Sequence, residues 1–357
     1  MNPTNETLNP ITVEPPNFAI DVLSATVDEK FNLRGEYSQL VSERDQNFRL
    51  KTPDGRMFVV KVTGLLEDRI ATDFQIAALS HFEENNFIYT PRVYRTTRGE
   101  KRSVIISDSG QEYSLRIVTW LDGTLLKDVE LTTDIARHFG QRLAELDLSL
   151  VDFDFDGDGQ AGLWNTLEAL QLTTLLPHVN DDQVRKYAHA VLTRFGETTV
   201  AALGALPRQA IHNDANPENI LLNAHGDVSG IIDFGDALKA PRIIEVATAA
   251  SYLRTGGENP LKFIEAFLKG YHQRSPLSDA EFNLLFDLIK TRLTMTLVLM
   301  YWRLSARDEH DPYRQKTLKS ESNAFEFLVY LSGLGHETFN RRVKPVDPKT
   351  RLGIGRR

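Results

Sequence analysis

The order of apolar and polar residues changes character about a third of the way along the chain. Between residues 31 and 120, short strand-like runs dominate. Residues 42–50 read as a turn entering a strand, Thr52-Pro53-Asp54-Gly55 as a hairpin turn, and residues 56–62 as a Val- and Phe-rich strand. Further strands are predicted at 103–106 and 113–120. One helical period interrupts them at 68–84, with Phe74, Ala77, Ala78 and Phe82 on one face. After Trp120-Leu121-Asp122-Gly123 the apolar period becomes helical, near 131–147, 163–178, 181–203, 243–255, 260–272, 279–304 and 320–340. Only short apolar strands break it, at Ala210-Ile211, at 219–222 and at a run ending in Ile231-Ile232. The pattern predicts an α+β chain of two lobes: an N-terminal extension (1–30), a small antiparallel sheet lobe with one helix (31–119), a connecting strand (120–123), a larger, mainly helical lobe (124–340) and a tail (341–357).

Composition narrows the chemistry. The 357 residues include no cysteine, which removes disulfide scaffolds, thiolate metal sites and cysteine nucleophiles. The net charge of −8 argues against a nucleic-acid coat or a general binder of anionic membranes, since both need a positive field. That charge is uneven, because the tail from Arg341 carries +6 and leaves −14 on the rest, so the tail reads as a solvated basic end. The start, to about Asn17, is polar and Pro-rich without the basic and apolar regions of a signal peptide. The longest uncharged run in the apolar helix near the end, 293–302, is ten residues, against about 20 for a membrane span. A core helix and a cytoplasmic protein are therefore expected.

The chemistry concentrates in Ile211-His212-Asn213-Asp214-Ala215-Asn216-Pro217-Glu218-Asn219-Ile220, followed by Ile231-Ile232-Asp233-Phe234-Gly235-Asp236. A carboxylate, an amide five positions on, and a second carboxylate opening an Asp-Phe-Gly turn are bracketed by short apolar strands. Phosphoryl transfer needs such parts: one carboxylate to orient the acceptor hydroxyl, and hard oxygen donors to hold magnesium on the nucleotide phosphates.

These motifs resemble those of the aminoglycoside phosphotransferase and choline kinase superfamily, a branch of the protein-kinase-like fold. Ser42-Glu43-Arg44-Asp45-Gln46-Asn47-Phe48, with Asn213 and Asn216, is most similar to its hydroxylysine kinase-like subgroup. The resemblance implies that Asp214 is the catalytic aspartate, that Asn219 and Asp233 are magnesium ligands, and that Lys61 reaches the nucleotide phosphates. It makes 31–119 a nucleotide-binding lobe, and it places Ser42 and Asn47 over the phosphates and Trp120 and Leu121 at a hinge facing the base. The implied reaction moves the γ-phosphate of ATP or GTP to a hydroxyl of an amine-bearing metabolite, 5-hydroxylysine first, with homoserine, choline, ethanolamine and aminoglycosides as competing acceptors. A pseudokinase that binds nucleotide without catalysis is the alternative of another class. Retention of Lys61, Asp214, Asn219 and Asp233 favours catalysis, and the lack of Ala-Pro-Glu after Asp233-Phe234-Gly235 weighs against a protein kinase.

The sequence departs from that pattern in two places. The helix after Lys61 offers Gln75 or Asp73 where relatives place a glutamate to pair the lysine, and the phosphate turn is not glycine-rich. Asn213 and Asn216 fit either loop geometry or substrate contact, while Asp236 and Glu245 read as solvated or capping acids. Asp154-Phe155-Asp156-Gly157-Asp158-Gly159 matches the front of an EF-hand loop, but the twelfth position is Asn165 rather than a bidentate glutamate. A flexible acidic loop is the expectation there.

Overall fold

The computed structural model describes residues 15–305, apart from 43, 66, 160 and 161, together with 322–344. The tail beyond residue 344 and the extreme N-terminus lie outside the described residues.

The first lobe is a six-stranded antiparallel sheet in the order β1-β2-β3-β6-β4, with β5 also paired to β6. Its strands are β1 (Glu36–Leu40), β2 (Gln46–Lys51), β3 (Met57–Val62), β4 (Val93–Tyr94), β5 (Ser103–Ile106) and β6 (Glu112–Thr119). The side-chain period of two divides β3 cleanly. Phe58, Val60 and Val62 bury into the lobe's own core, while Met57, Val59 and Lys61 occupy the opposite face. That core is closed by helix α1 (Ile20–Phe31), through Leu23, Val27 and Phe31. The lobe's packing thus begins well before residue 31, inside the segment read from sequence as an extension. Helix α2 (Arg69–Glu84) opens on Asp68, whose side chain accepts from the Ile70 amide, and buries Phe74, Ala78 and Phe82 at spacings of four.

The second lobe holds the short strands β7 (Thr124–Leu125), β8 (Gln209–Ile211), β9 (Ile220–Leu222), β10 (Val228–Ile231) and β11 (Leu238–Ala240) among helices. These are α3 (Thr133–Ser149), α4 (Asp182–Arg194), α5 (Val200–Gly204), α6 (Ile243–Tyr252), α7 (Lys262–Arg274), α8 (Asp279–Ser305), α9 (Ser322–Leu334) and α10 (His336–Val343). The helix predicted at 163–178 is a run of 3-10 turns (Thr166–His178), and the one at 181–203 passes through a π turn (Phe195–Thr199). The predicted 320–340 helix breaks at Gly335, which takes a φ of 79°. α3 and α7 cross closely enough that a Cβ on Gly140 would stand 2.0 Å from the Phe267 carbonyl oxygen, and one on Gly270 would stand 2.0 Å from that of Arg137. α8 buries most of its length, including all of 293–302 but Thr296 and Tyr301, and no helix among the described residues is long and apolar enough to cross a membrane.

The acidic segment after α3 is a packed strap. Phe153 and Phe155 stand edge-on to Phe74 of α2, with ring centroids 5.3 and 5.4 Å away. Gly159 bridges Leu238, and Lys239 Nζ donates to the Phe155 carbonyl. Asn165, the last EF-hand position, caps the 3-10 run by accepting from the Leu167 amide. Among the described residues no three His, Asp or Glu side chains converge as metal ligands.

Candidate active site

Strand β8 delivers the chain into the loop His212 to Asn219, and each polar group in that loop has a positioning task. His212 contacts the Ile232 carbonyl through Nε2 at 2.9 Å, and its Nδ1 accepts from the Asp214 amide at 3.2 Å, so the imidazole ties this loop to the Asp233 turn. Asn213 sits at φ 65°, a left-handed conformation that asparagine tolerates better than most side chains. Its Nδ2 donates to the carbonyls of Trp164 and Asp236, and its amide donates to Glu245 Oε2 at 2.6 Å. Loop geometry therefore accounts for Asn213. Glu245 is fully buried rather than solvated, and burial raises its pKa above the ordinary carboxylate value.

Asp214 is held from three directions. Its Oδ2 accepts from Nδ2 of Asn219 at 2.8 Å and from Nδ2 of Asn216 at 3.0 Å. Its Oδ1 accepts from a guanidinium nitrogen of Arg292 at 3.1 Å. Burial, and then the nearby charge of Asp236, pushes the Asp214 carboxyl up to about 7, against the opposing pull of Arg292. Since a carboxylate oxygen offers about two lone pairs, Oδ2 is filled by the two amides and Oδ1 retains one open position.

Lys61 reaches from β3 to Asp233, with Nζ 3.1 Å from Oδ1. Lys61 holds the Asp233 carboxyl well below the usual carboxylate range, overcoming the opposing effect of burial. Asp233 itself takes a φ of 60°, and Phe234 packs its ring on His212 and on Phe82 of α2. Neither residue expected to pair Lys61 does so. Asp73 is bound by Arg102 at 2.9 Å. Gln75 belongs to a separate buried network, in which Arg116 donates to Gln75 Oε1 at 2.8 Å, while Gln75 Nε2 donates to Glu67 at 3.0 Å and to the Gly235 carbonyl at 3.3 Å. Arg116 lies opposite Lys61 in the β3–β6 register. A second cation beside Lys61 in the sheet thus takes the Gln75 amide oxygen.

Ser42, Asn47, Trp120 and Leu121 each have local neighbours. Ser42 shapes its turn by accepting from the Asp45 amide at 3.2 Å. Asn47 is opposite Lys61 in the β2–β3 register, and its buried Oδ1 has no hydrogen-bond partner. The Trp120 amide is already committed to the Met57 carbonyl at 3.1 Å, and the Leu121 side chain packs towards Gly230.

Arg292, from the middle of α8, was not visible as a site residue in the sequence. It is 1 % exposed, its guanidinium lies 4.6 Å from the Trp164 ring centroid, and it donates to the Trp164 carbonyl at 3.3 Å. Nothing in the sequence separates it from Lys290, two positions earlier, at the start of the uncharged run 293–302. Arg44, in the predicted phosphate turn, was likewise unassigned. It bridges the lobes to Asp236 at 2.9 Å.

A Lys–Asp pair thus joins the sheet lobe to the helical lobe, beside a caged aspartate and an asparagine five positions on. The phosphotransferase enzyme family pattern matches residues 36–282. The chain belongs to this family. It is therefore a kinase that acts on an alcohol group of a small molecule, built on the bilobal protein-kinase-like fold. Hydroxylysine kinase of Danio rerio is 25 % identical over 341 residues, covering 92 % of this chain and 95 % of that one. The Mus musculus hydroxylysine kinase is 26 % identical over 330 residues, covering 85 % of this chain and 88 % of its own. Among solved structures, an amicoumacin kinase in complex with AMP-PNP, Ca2+ and Ami superposes with a TM-score of 0.67 at 13 % identity, over 94 % of this chain and 97 % of that one, a likeness of fold.

Proposed function

We propose that the protein transfers the γ-phosphoryl group of ATP or GTP to the hydroxyl of 5-hydroxylysine, with Asp214 as the catalytic carboxylate. The observation that carries the reading is the open lone pair on Asp214 Oδ1. The other oxygen is saturated by Asn216 and Asn219, so an acceptor hydroxyl docks at Oδ1, beside Arg292. Arg292 then acts as a positioning residue that fixes the rotation of the carboxylate, and a bound hydroxyl presents its oxygen in line to the phosphorus while its proton passes to Oδ1.

Two oxygen atoms fit a magnesium ion. Asn219 commits Nδ2 to Asp214, which leaves Oδ1 as its free polar atom, and Asp233 Oδ2 has no partner among the described residues. The Asp233 side chain is 51 % exposed and stays ionised beside Lys61, as a hard-cation ligand must. Bound magnesium would neutralise charge on the nucleotide phosphates. Lys61 adds positive charge at the same phosphates, Ser42 and Asn47 line their cover, and with the Trp120 amide spent, Leu121 is the better placed of the two hinge residues for the base. The names and coverage of the two hydroxylysine kinases support the acceptor. Arg44, Trp164, Asn213 and Asp236 line a small cleft next to the Asp214 loop. Nucleotide-dependent phosphorylation of a panel of amino alcohols, read by mass spectrometry of the product, tests the reading. Hydroxylysine should have the highest kcat/KM, and preference for choline, homoserine or an aminoglycoside would replace it.

A further inference from the structure

The ion pair between Arg44 and Asp236 closes the cleft beside Asp214, yet phosphoryl transfer as derived above uses neither partner. The backbone of Arg44 packs closely on Gly64, its carbonyl oxygen lying 2.4 Å from where a Cβ there would stand. Its side chain is the part with freedom, 43 % exposed, whereas that of Asp236 is only 12 % exposed. The guanidinium also lies 3.7 Å from where a Cβ on Gly235 would stand, next to the turn that carries Asp233. Arg44 is therefore within a side-chain rotation of any phosphate bound at Asp233. A dianionic phosphate competes well for a guanidinium, through paired charge-assisted hydrogen bonds.

Were Arg44 to turn, Asp236 would be left mostly buried beside Asp214 without an ion-pair partner, with the charge of Arg292 acting on it. A buried carboxylate stripped of its partner is strongly unfavourable unless another cation replaces it. Asp236 shares the cleft with Asn213, whose Nδ2 donates to the Asp236 carbonyl at 3.2 Å, so it stands next to the loop that carries Asp214, and its charge acts on that carboxyl. In a vicinal amino alcohol the ammonium lies one carbon beyond the acceptor hydroxyl, within reach of this second carboxylate. Resting on the kinase reading above, we propose that Asp236 is the docking site for the acceptor's vicinal ammonium, and that Arg44 occupies it until nucleotide phosphate draws the guanidinium away. The exchange makes nucleotide and acceptor bind cooperatively, and the coupling is reciprocal. It also selects amines over neutral alcohols, because only an amine neutralises the freed carboxylate.

The test is calorimetric titration of the full chain with hydroxylysine, 1-amino-2-propanol and 2-amino-5-hydroxyhexanoic acid, which keeps the hydroxyl but lacks the vicinal amine, each with and without AMP-PNP and magnesium. Wild type should bind the amines about 10-fold or more tighter with nucleotide present, within the usual range of site-to-site coupling. Arg44→Met should bind the amines tightly without nucleotide, lose that coupling, and bind AMP-PNP more weakly. Asp236→Asn should lose the preference for the amines over the deaminated compound. Coupling retained in Arg44→Met, amine preference retained in Asp236→Asn, or no binding of any amino alcohol by wild type overturns the proposal. If the amines couple to nucleotide as stated but hydroxylysine is no better than aminopropanol, this inference stands and the choice of hydroxylysine falls.

Discussion

Replacing Arg292 with Met isolates the residue that the sequence concealed. The substitution removes the hydrogen bond to Asp214 Oδ1 at 3.1 Å and the packing of the guanidinium on Trp164. Two effects on stability oppose each other. Asp214 loses the cation that faces it, while the fold is relieved of a buried arginine whose Nε has no hydrogen-bond partner. Breaking a buried pair from one side costs about 3–5 kcal/mol, and exchanging a buried ion for a well-packed apolar side chain recovers much of that. Because the Asp214 side chain keeps 22 % of its exposure, water offsets part of the lost partner as well, and the net change should be no more than about 2 kcal/mol. Catalysis has no such compensation. With one of its three restraints gone, the carboxylate rotates off the acceptor line, and a misplacement of about 1 Å costs roughly 100-fold. The expected result in a coupled ADP-release assay is a kcat about 100-fold lower, with the KM for nucleotide unchanged and denaturation showing a folded protein. Arg292→Lys should recover part of the rate, keeping charge but not the planar stack on Trp164. In the double variant with Asp214→Asn, the two losses should not add, since both act on one group. A folded Arg292→Met within threefold of wild type in kcat would refute the positioning role.

Arg116→Met strands Glu67, the two side chains being only 4 % and 5 % exposed, so it should cost about 3 kcal/mol in urea unfolding while leaving Lys61 bound to Asp233. Gly140→Ala drives a methyl into the Phe267 carbonyl and should cost about 3 kcal/mol or prevent folding, whereas Gly204→Ala, with nothing within 4 Å, should be nearly neutral in the same thermal melt. The Asp147 carboxyl is raised well above its ordinary value, by burial first and then by Glu245. The folded chain therefore holds that proton where the unfolded chain has lost it, a contribution complete below the unfolded value and lost as pH rises through the folded one. Asp147→Asn keeps an acceptor for the Tyr271 hydroxyl, which Asp147 Oδ2 now binds at 2.5 Å, and does not titrate. Its melting temperature should rise relative to wild type between pH 5 and pH 8, and an unchanged difference would contradict the assignment.

Local patterns made the lobes legible. The strand around Lys61, the helix around Phe74 and the Asp214 and Asp233 loops are written in short-range periodicity and turn residues, and the described elements follow them within a few positions. What stayed hidden is long-range. Nothing near Arg292 in the chain says that α8 will carry it against a loop 78 positions away. The partner of Lys61 was misplaced onto α2 for a similar reason: the register of β6 puts Arg116 beside Lys61 and diverts Gln75, a contact 41 positions apart in sequence. Glu245 differs from the sequence expectation because its place near the start of a helix is visible in sequence, whereas its burial beneath Asn213 is set by the packing of α6 under the Asp214 loop.

The central claim is that Asp214 directs the γ-phosphoryl group to the acceptor hydroxyl, and single-turnover transfer of labelled phosphate from ATP to 5-hydroxylysine tests it most directly. Wild type should yield O-phosphorylated hydroxylysine only with a divalent metal present, and Asp214→Asn, still binding nucleotide, should be slower by about 1,000-fold, as for loss of a positioned base. Transfer by Asp214→Asn at the wild-type rate, or phosphate released to water with none on the acceptor, would contradict the account.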